Sequence, residues 1–66
     1  MVAISAVNKL KRELEEKGIT VYKAAKLTGI KYELLRRALR GKRKLSVEEF
    51  FLILEKCGID LEKVKE

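Results

Sequence analysis

The residues of this chain that are suited to chemistry are cations, and they are concentrated in one segment. Residues 31–44 hold seven Lys and Arg and a single acid, Glu33, so this segment carries the whole net charge of +6. The other nine basic and nine acidic residues cancel, as is typical of solvated helix faces that mix both signs. A segment of one sign favours a polyanionic partner over a surface that is merely soluble.

The composition argues against catalysis and against a bound metal. The sequence has no His and its one cysteine is Cys57, so neither a nucleophile–base pair nor a usual set of zinc ligands can be assembled. A single cysteine also excludes an internal disulfide. Cys57 falls on an apolar helix face, where we expect a small buried side chain rather than a reactive thiol. We therefore expect no enzyme activity, no cofactor and no small-molecule substrate.

The length of 66 residues predicts a single domain over residues 1–66. No apolar run approaches the about 18 residues that a membrane span requires. We therefore expect no membrane partner and a cytoplasmic location, at the nucleoid if the protein is natural. Lys and Glu together make up 20 residues, while Pro, Gln, Trp and His are absent. Such an idealised surface is typical both of hyperthermophile proteins and of engineered sequences, including de novo designs, and either origin fits.

The elements that must position the cations are predicted to be helices. Apolar residues recur at the three-to-four spacing of helices, and no segment alternates like a strand. We predict an all-α fold, a compact bundle of four to five helices near residues 5–17, 20–29, 31–40 and 46–58, with a short fifth from Ile59. Ser46 with Glu49 forms the clearest start signal, a capping box. The residues predicted to face inward are Val7, Leu10, Leu14, Val21, Ala24, Ala25, Leu27, Leu34, Leu35, Ala38, Leu39, Val47, Phe50, Ile53, Leu54 and Cys57.

Residues 20–41 are the most informative part of the pattern: a short helix, a turn that contains Gly29, and a second helix. Ala24 and Ala25 are small enough to let the two helices cross closely. Gly29 supplies the positive φ at the helix end, and Ile30 is predicted to plug the turn into the core. The second helix then turns four side chains outward, at a width that the major groove of B-DNA accepts. These four are Glu33, Arg36, Arg37 and Arg40.

This segment resembles the helix-turn-helix of the phage Cro/repressor family, often called XRE-like. The resemblance rests on KAAKLTGI at residues 23–30, the spacing of Leu35 and Ala38, the Arg40–Gly41 pair, and the later SVEEF and LEKCGIDL; it covers residues 5–62. Two positions depart from the family. Lys31 replaces the usual Ser or Thr N-cap of the second helix, and Val21 replaces a polar residue that contacts phosphate.

The resemblance implies sequence-specific binding of double-stranded DNA, with residues 31–40 as the recognition helix in the major groove. The protein would be a repressor-like transcription regulator or a designed DNA binder. The positions that the resemblance assigns to base contacts are Lys31, Tyr32, Glu33, Arg36 and Arg37. The positions that it assigns to phosphate contacts are Tyr22, Lys23, Arg40, Lys42, Arg43 and Lys44.

Several alternatives stay open at this point. Arg36 can neutralise Glu33 instead of reading a base, and Tyr22 and Tyr32 can be packing residues. Family members commonly act as dimers on palindromic sites; a homodimer through Phe51, Leu52 and the C-terminal segment and a monomer fit the sequence equally. The alternative function is a protein-interaction module, such as an antitoxin or a regulator, built on the same fold. Binding to structured RNA is disfavoured, because the basic segment lacks an aromatic stacking platform.

Overall fold

The computed structural model describes residues 2–64, and that range is helical without a strand. Four α-helices follow one another: α1 Ile4–Glu16, α2 Val21–Thr28, α3 Tyr32–Leu39 and α4 Val47–Cys57. A single 3₁₀ turn, Leu61–Lys63, stands where a fifth helix was predicted. α2 packs against both α3 and α4, while α1 packs against α3 and the 3₁₀ turn. The prediction of an all-α bundle with four main helices is confirmed.

Local capping signals set the helix boundaries. The Thr20 hydroxyl accepts a hydrogen bond from the Lys23 backbone N–H at 3.1 Å at the start of α2. At the start of α4, the Ser46 hydroxyl accepts from the Glu49 N–H at 3.1 Å. The Glu49 carboxylate in turn accepts from the Ser46 N–H at 3.1 Å, which completes the predicted capping box. Each such cap satisfies backbone donors that the first turn of a helix leaves without partners.

The four helices enclose one apolar core. Its largest fully buried side chains come from every part of the fold: Leu10, Leu35, Leu45, Ile53 and Val64. No polar or charged residue among those described is buried in it. Leu45 belongs to the loop between α3 and α4, and Val64 follows the 3₁₀ turn. Both extend the core beyond the helical faces, so the loop and the C-terminal turn are held by apolar burial.

Three residues predicted to face inward are instead exposed, and for these residues the prediction is wrong. Leu27, Leu34 and Val47 are 42%, 39% and 45% exposed, respectively. Val47 is the first residue of α4 and lies at the edge of the core. α2 and α3 have only eight residues each, so one narrow stripe of each helix is covered. On α3 that stripe is centred on Leu35, and successive positions on a helix differ by about 100°, so Leu34 falls outside it.

Candidate nucleic-acid interface

The turn between α2 and α3 is fixed by hydrogen bonds as well as by packing. Gly29 adopts a left-handed conformation with φ of 79°, and its N–H donates to the Ala25 carbonyl at 2.9 Å. The Thr28 hydroxyl donates to the Ala24 carbonyl at 2.8 Å and accepts from the Ile30 N–H at 3.3 Å. Ile30 packs against the core. The direction of α3 relative to α2 is therefore determined by the turn itself.

Thr28 is a residue that the sequence analysis missed. Its hydroxyl joins the last turn of α2 to the first residue after Gly29, as its bonds to Ala24 and Ile30 show. The available signal was a Ser or Thr directly before the glycine, since such side chains readily bond to nearby backbone groups. Thr28 therefore helps to set the direction of α3.

α3 has one buried side and one charged, solvent-facing side. Leu35, Ala38 and Leu39 are buried, so the helix is seated along its length. The predicted outward residues are on the other side: Glu33, Arg37 and Arg40 are exposed and Arg36 is half-buried. The helix therefore presents a continuous row of charged groups from its first turn to its end.

Within that row, Arg36 and Glu33 form a forked ion pair. Arg36 Nε donates to Glu33 Oε1 at 3.0 Å, and Nη2 donates to Oε2 at 3.3 Å. The hydrogen bond and the charge of Arg36 lower the pKa of Glu33, to which Arg37 adds a weaker attraction. The same hydrogen bond raises the pKa of Arg36. Arg37 forms no salt bridge with any residue in the described range, so its guanidinium acts on Glu33 only through its charge.

Two tyrosines join the starts of α2 and α3. The rings of Tyr22 and Tyr32 meet edge to face, with centroids 6.4 Å apart and an interplanar angle of 62°. Lys26 Nζ lies 5.1 Å from the centroid of the Tyr22 ring, a cation–π geometry. Tyr22 is 59% exposed and Tyr32 43% exposed, so each ring packs on one edge and still faces solvent. The sequence left packing and contact with a partner as alternative roles for the two tyrosines, and their geometry is compatible with both.

The basic loop after α3 is tied to the end of that helix. Gly41 has φ of 77°, and its N–H donates to the Ala38 carbonyl at 3.1 Å. The Lys42 N–H donates to the Arg37 carbonyl at 2.8 Å. These two bonds form a Schellman motif, the common glycine-dependent helix end. The loop cations therefore start at a defined position beside the charged row of α3.

The three cations of this loop have different surroundings. Lys42 and Lys44 are exposed. Arg43 is half-buried, and its Nη2 lies 3.1 Å from Glu49 Oε2 and 3.3 Å from Oε1. Burial raises the pKa of Glu49, but hydrogen bonds from Ser46 and Arg43 outweigh burial and lower the pKa overall. Arg43 thus anchors the loop to α4, whereas its two neighbours stay available to a partner.

Outside this charged surface, three further features of the described residues bear on function: possible metal ligands, the cysteine thiol and the length of the helices. In the range 2–64, no three His, Cys, Asp or Glu side chains are grouped as a metal site. Cys57 is buried, and burial raises the pKa of its thiol. None of the helices within that range has both the length and the apolar character needed to cross a bilayer.

The match to known proteins is at the level of a family. A family model described as helix-turn-helix matches residues 10–64, which include α2, α3, α4 and most of α1. No curated protein and no solved structure matches the chain. The matched region contains all eleven residues that were predicted to contact a nucleic acid.

Proposed function

The chain belongs to the XRE-type helix-turn-helix family of DNA-binding regulators, and from this premise we propose that it binds double-stranded DNA with sequence specificity. The observation that carries the proposal is the two-sided character of α3. Its buried residues seat it on the core, and its outward row consists of Glu33, Arg36, Arg37 and Arg40. A helix held in this way has the width that the major groove accepts.

Arg37 is our proposed main reader of base identity. It is exposed and forms no salt bridge with the residues described, so binding to a guanine would not break an existing pair. Arg36 and Glu33 hold each other, which supports their action as one preformed unit beside it. Lys31 and Tyr32, at the start of α3, complete the proposed set of base contacts. Each bidentate contact of this kind discriminates between bases by about 1–3 kcal/mol.

The proposed phosphate contacts flank this row. Lys42 and Lys44 follow α3 in the tied loop, Arg40 ends the helix, and Tyr22 and Lys23 lie in the first turn of α2. Such contacts set the register of the protein on the duplex and carry no sequence information. The family resemblance assigned Arg43 to the phosphate contacts as well. Its pairing with Glu49 supports the different role of holding the loop that carries Lys42 and Lys44.

Salt-dependent binding to selected duplexes tests this function. A selection from randomised duplexes supplies the preferred sequence, and a scrambled duplex is the control. With about five phosphates neutralised, log K is expected to fall with a slope of about −4 to −5 against log salt. Equal affinity for the selected and scrambled duplexes would exclude specific recognition. A slope of about −1 would exclude the proposed phosphate contacts.

Two copies are proposed to pair on the DNA through α4. Phe51 is 50% exposed and Leu52 half-buried, so α4 presents apolar surface, and Leu61 of the C-terminal segment is 42% exposed. Two copies would read half-sites about one DNA turn apart. Phe51→Glu is then expected to abolish cooperative binding to a two-half-site duplex and to leave binding to one half-site unchanged. Unaltered cooperativity in this variant would exclude the α4 contact.

A further inference from the structure

A groove of about 600 Å³ lies between the start of α1 and the loop that follows α3. Its floor is backed by Val7, Ala38, Leu39 and Leu45, which are buried in the core, and its accessible apolar surface comes from Val2, Ala3 and Ile4. The Val2 N–H donates to the Leu45 carbonyl at 3.0 Å, a bond that joins the two sides of the groove. Typical small-molecule sites have volumes of about 300–1,000 Å³ and mostly apolar linings, and the volume of this groove falls within that range. We call this feature the α1–loop groove.

The charge around the α1–loop groove has one sign. Among the described residues five cations and no acid line it, and one of the five, Arg43, is already paired with Glu49; the cations are Lys11, Arg40, Lys42, Arg43 and Lys44. The start of α1 adds to this field, because its N-cap residue Ala3 has no side-chain acceptor and its first turn has no acid. Nη1 of Arg43 is buried and forms no hydrogen bond with any described residue. A buried donor without a partner is uncommon.

We propose that the α1–loop groove binds a medium-chain fatty acid, with its carboxylate among the cations and its alkyl chain along the apolar wall. Charge complementarity favours an anion, and the accessible apolar surface of Ile4 and half-buried Val2 favours an apolar body on the same molecule. Ile4 also lines the groove and is 73% exposed, an exposure that an alkyl chain would reduce.

Two other kinds of ligand, a DNA phosphate and a peptide, fit the groove less well. A DNA phosphate has no apolar portion that would cover Ile4, which is 73% exposed. A peptide backbone needs hydrogen-bonding partners along its length. Asn8 is the one side-chain acceptor among the described lining residues, so the N–H groups of a peptide would find few side-chain partners. A fatty acid needs neither, because its polar group is confined to one end.

The proposed ligand and DNA would compete, a consequence that rests on the proposed function. Arg40, Lys42 and Lys44 line the groove and are also proposed phosphate contacts. A carboxylate among them neutralises charge that the duplex would otherwise use. A fatty acid would therefore release the protein from its DNA site.

A chain-length series followed by backbone amide NMR tests binding to the groove. The probes are acetate, hexanoate, octanoate and decanoate, each below its micelle concentration. We expect saturable shifts at groove residues such as Ile4 and Leu45. Affinity should rise by about twofold to fourfold for each added methylene, the upper value corresponding to full burial. Affinity that does not change with chain length, or shifts that do not saturate, would overturn the proposal, and octanol serves as the uncharged control.

Matched variants separate the groove from general charge effects. Ile4→Glu replaces part of the apolar wall with a negative charge, and an acid in the first turn of α1 favours the helix. It is expected to weaken octanoate binding more than tenfold. Ser5→Glu adds the same charge to the same turn at a position that does not line the groove. Lys11→Gln is expected to weaken binding several-fold, and its matched control Arg12→Gln much less; equal effects within each pair would contradict the assignment.

Competition with DNA completes the test. We expect octanoate to raise the Kd of the selected duplex and Ile4→Glu to remove this effect. If octanoate binds the groove but DNA does not bind at all, the proposed function fails and the ligand site stands. If DNA binds and octanoate does not, the ligand site fails alone. If both bind without competition, the regulatory part of the proposal is overturned.

Discussion

Arg36 and Glu33 are joined by two hydrogen bonds on the exposed side of α3, Nε to Oε1 at 3.0 Å and Nη2 to Oε2 at 3.3 Å. The pair spans one helical turn and orients both side chains along the helix axis. Arg37 lies next to it without a salt bridge among the described residues. The two adjacent arginines of α3 therefore differ: Arg36 is already paired, whereas Arg37 has no salt-bridge partner among the described residues.

Arg37→Ala is expected to lose base discrimination, while Arg36→Ala loses less. Removing a bidentate base contact costs about 1–3 kcal/mol on the preferred duplex and relaxes specificity at one position. Replacing Arg36 leaves Arg37 in place and removes a charge that Glu33 already compensates. Fluorescence anisotropy on the selected duplex and on single-base variants of it measures both effects. A uniform loss on every duplex for Arg37→Ala would indicate a phosphate contact instead.

Glu49 is expected to make stability depend on pH in the acid range. Its pKa is lowered in the folded protein by the hydrogen bonds from Ser46 and Arg43, which outweigh the effect of burial. The stabilisation is therefore fully present above the unfolded-state pKa of about 4.3 and is lost as the pH falls through the lower folded-state value. Urea unfolding at a series of pH values should show a shallower acid loss for Glu49→Gln than for the unchanged protein.

The control for this measurement is Glu15→Gln, which removes an exposed carboxylate from α1. Glu15 belongs to neither the capping box nor the Arg43 pair. Its acid profile should therefore run parallel to that of the unchanged protein. A Glu49→Gln profile that also runs parallel would show that the capping box and the Arg43 pair contribute nothing to the acid response.

Gly29→Ala is expected to destabilise the fold by about 1–2 kcal/mol, the cost of a left-handed conformation for a residue with a Cβ. A Cβ at this position would meet nothing within 4 Å, so the cost comes from the backbone alone. Gly29→Asn should cost less, because Asn tolerates positive φ. Urea unfolding with an unchanged m-value measures the difference. An alanine variant as stable as the asparagine variant would contradict the strain at φ of 79°.

Leu34 and Leu35 are neighbours with opposite environments, and their alanine variants should differ sharply. Leu35 has no exposed surface, whereas Leu34 is 39% exposed. Leu35→Ala creates a cavity and is expected to cost about 2–5 kcal/mol. Leu34→Ala removes surface that is only partly covered and leaves no enclosed cavity, so it should cost about 1 kcal/mol. Equal losses by thermal unfolding would show that α3 is seated on the core with a different face from the one described.

Much of the helix-turn-helix could be predicted from the sequence, because its signals are local. Ser46 and Glu49 are three residues apart, and their capping box forms within one helical turn. Gly29 follows the last residue of α2 and takes the positive φ that a glycine at that place predicts. That Arg37 faces outward and Leu35 inward follows from the period of a single helix, although the burial of Leu35 is completed by the neighbouring helices. The capping box and the glycine turn need no contact with a distant segment.

Tertiary packing decided the rest. The exposure of Leu27 and Leu34 depends on how much of each short helix is covered by its neighbours. The spacing of apolar residues within one helix does not tell how wide that covered face is. Arg43 reads in the sequence like Lys42 and Lys44, and only the approach of α4 brings Glu49 to it. The α1–loop groove joins the start of the chain to a loop more than thirty residues later. Periodicity and caps act within a few residues, whereas burial, ion pairing and cavity shape depend on which surfaces the folded chain brings together.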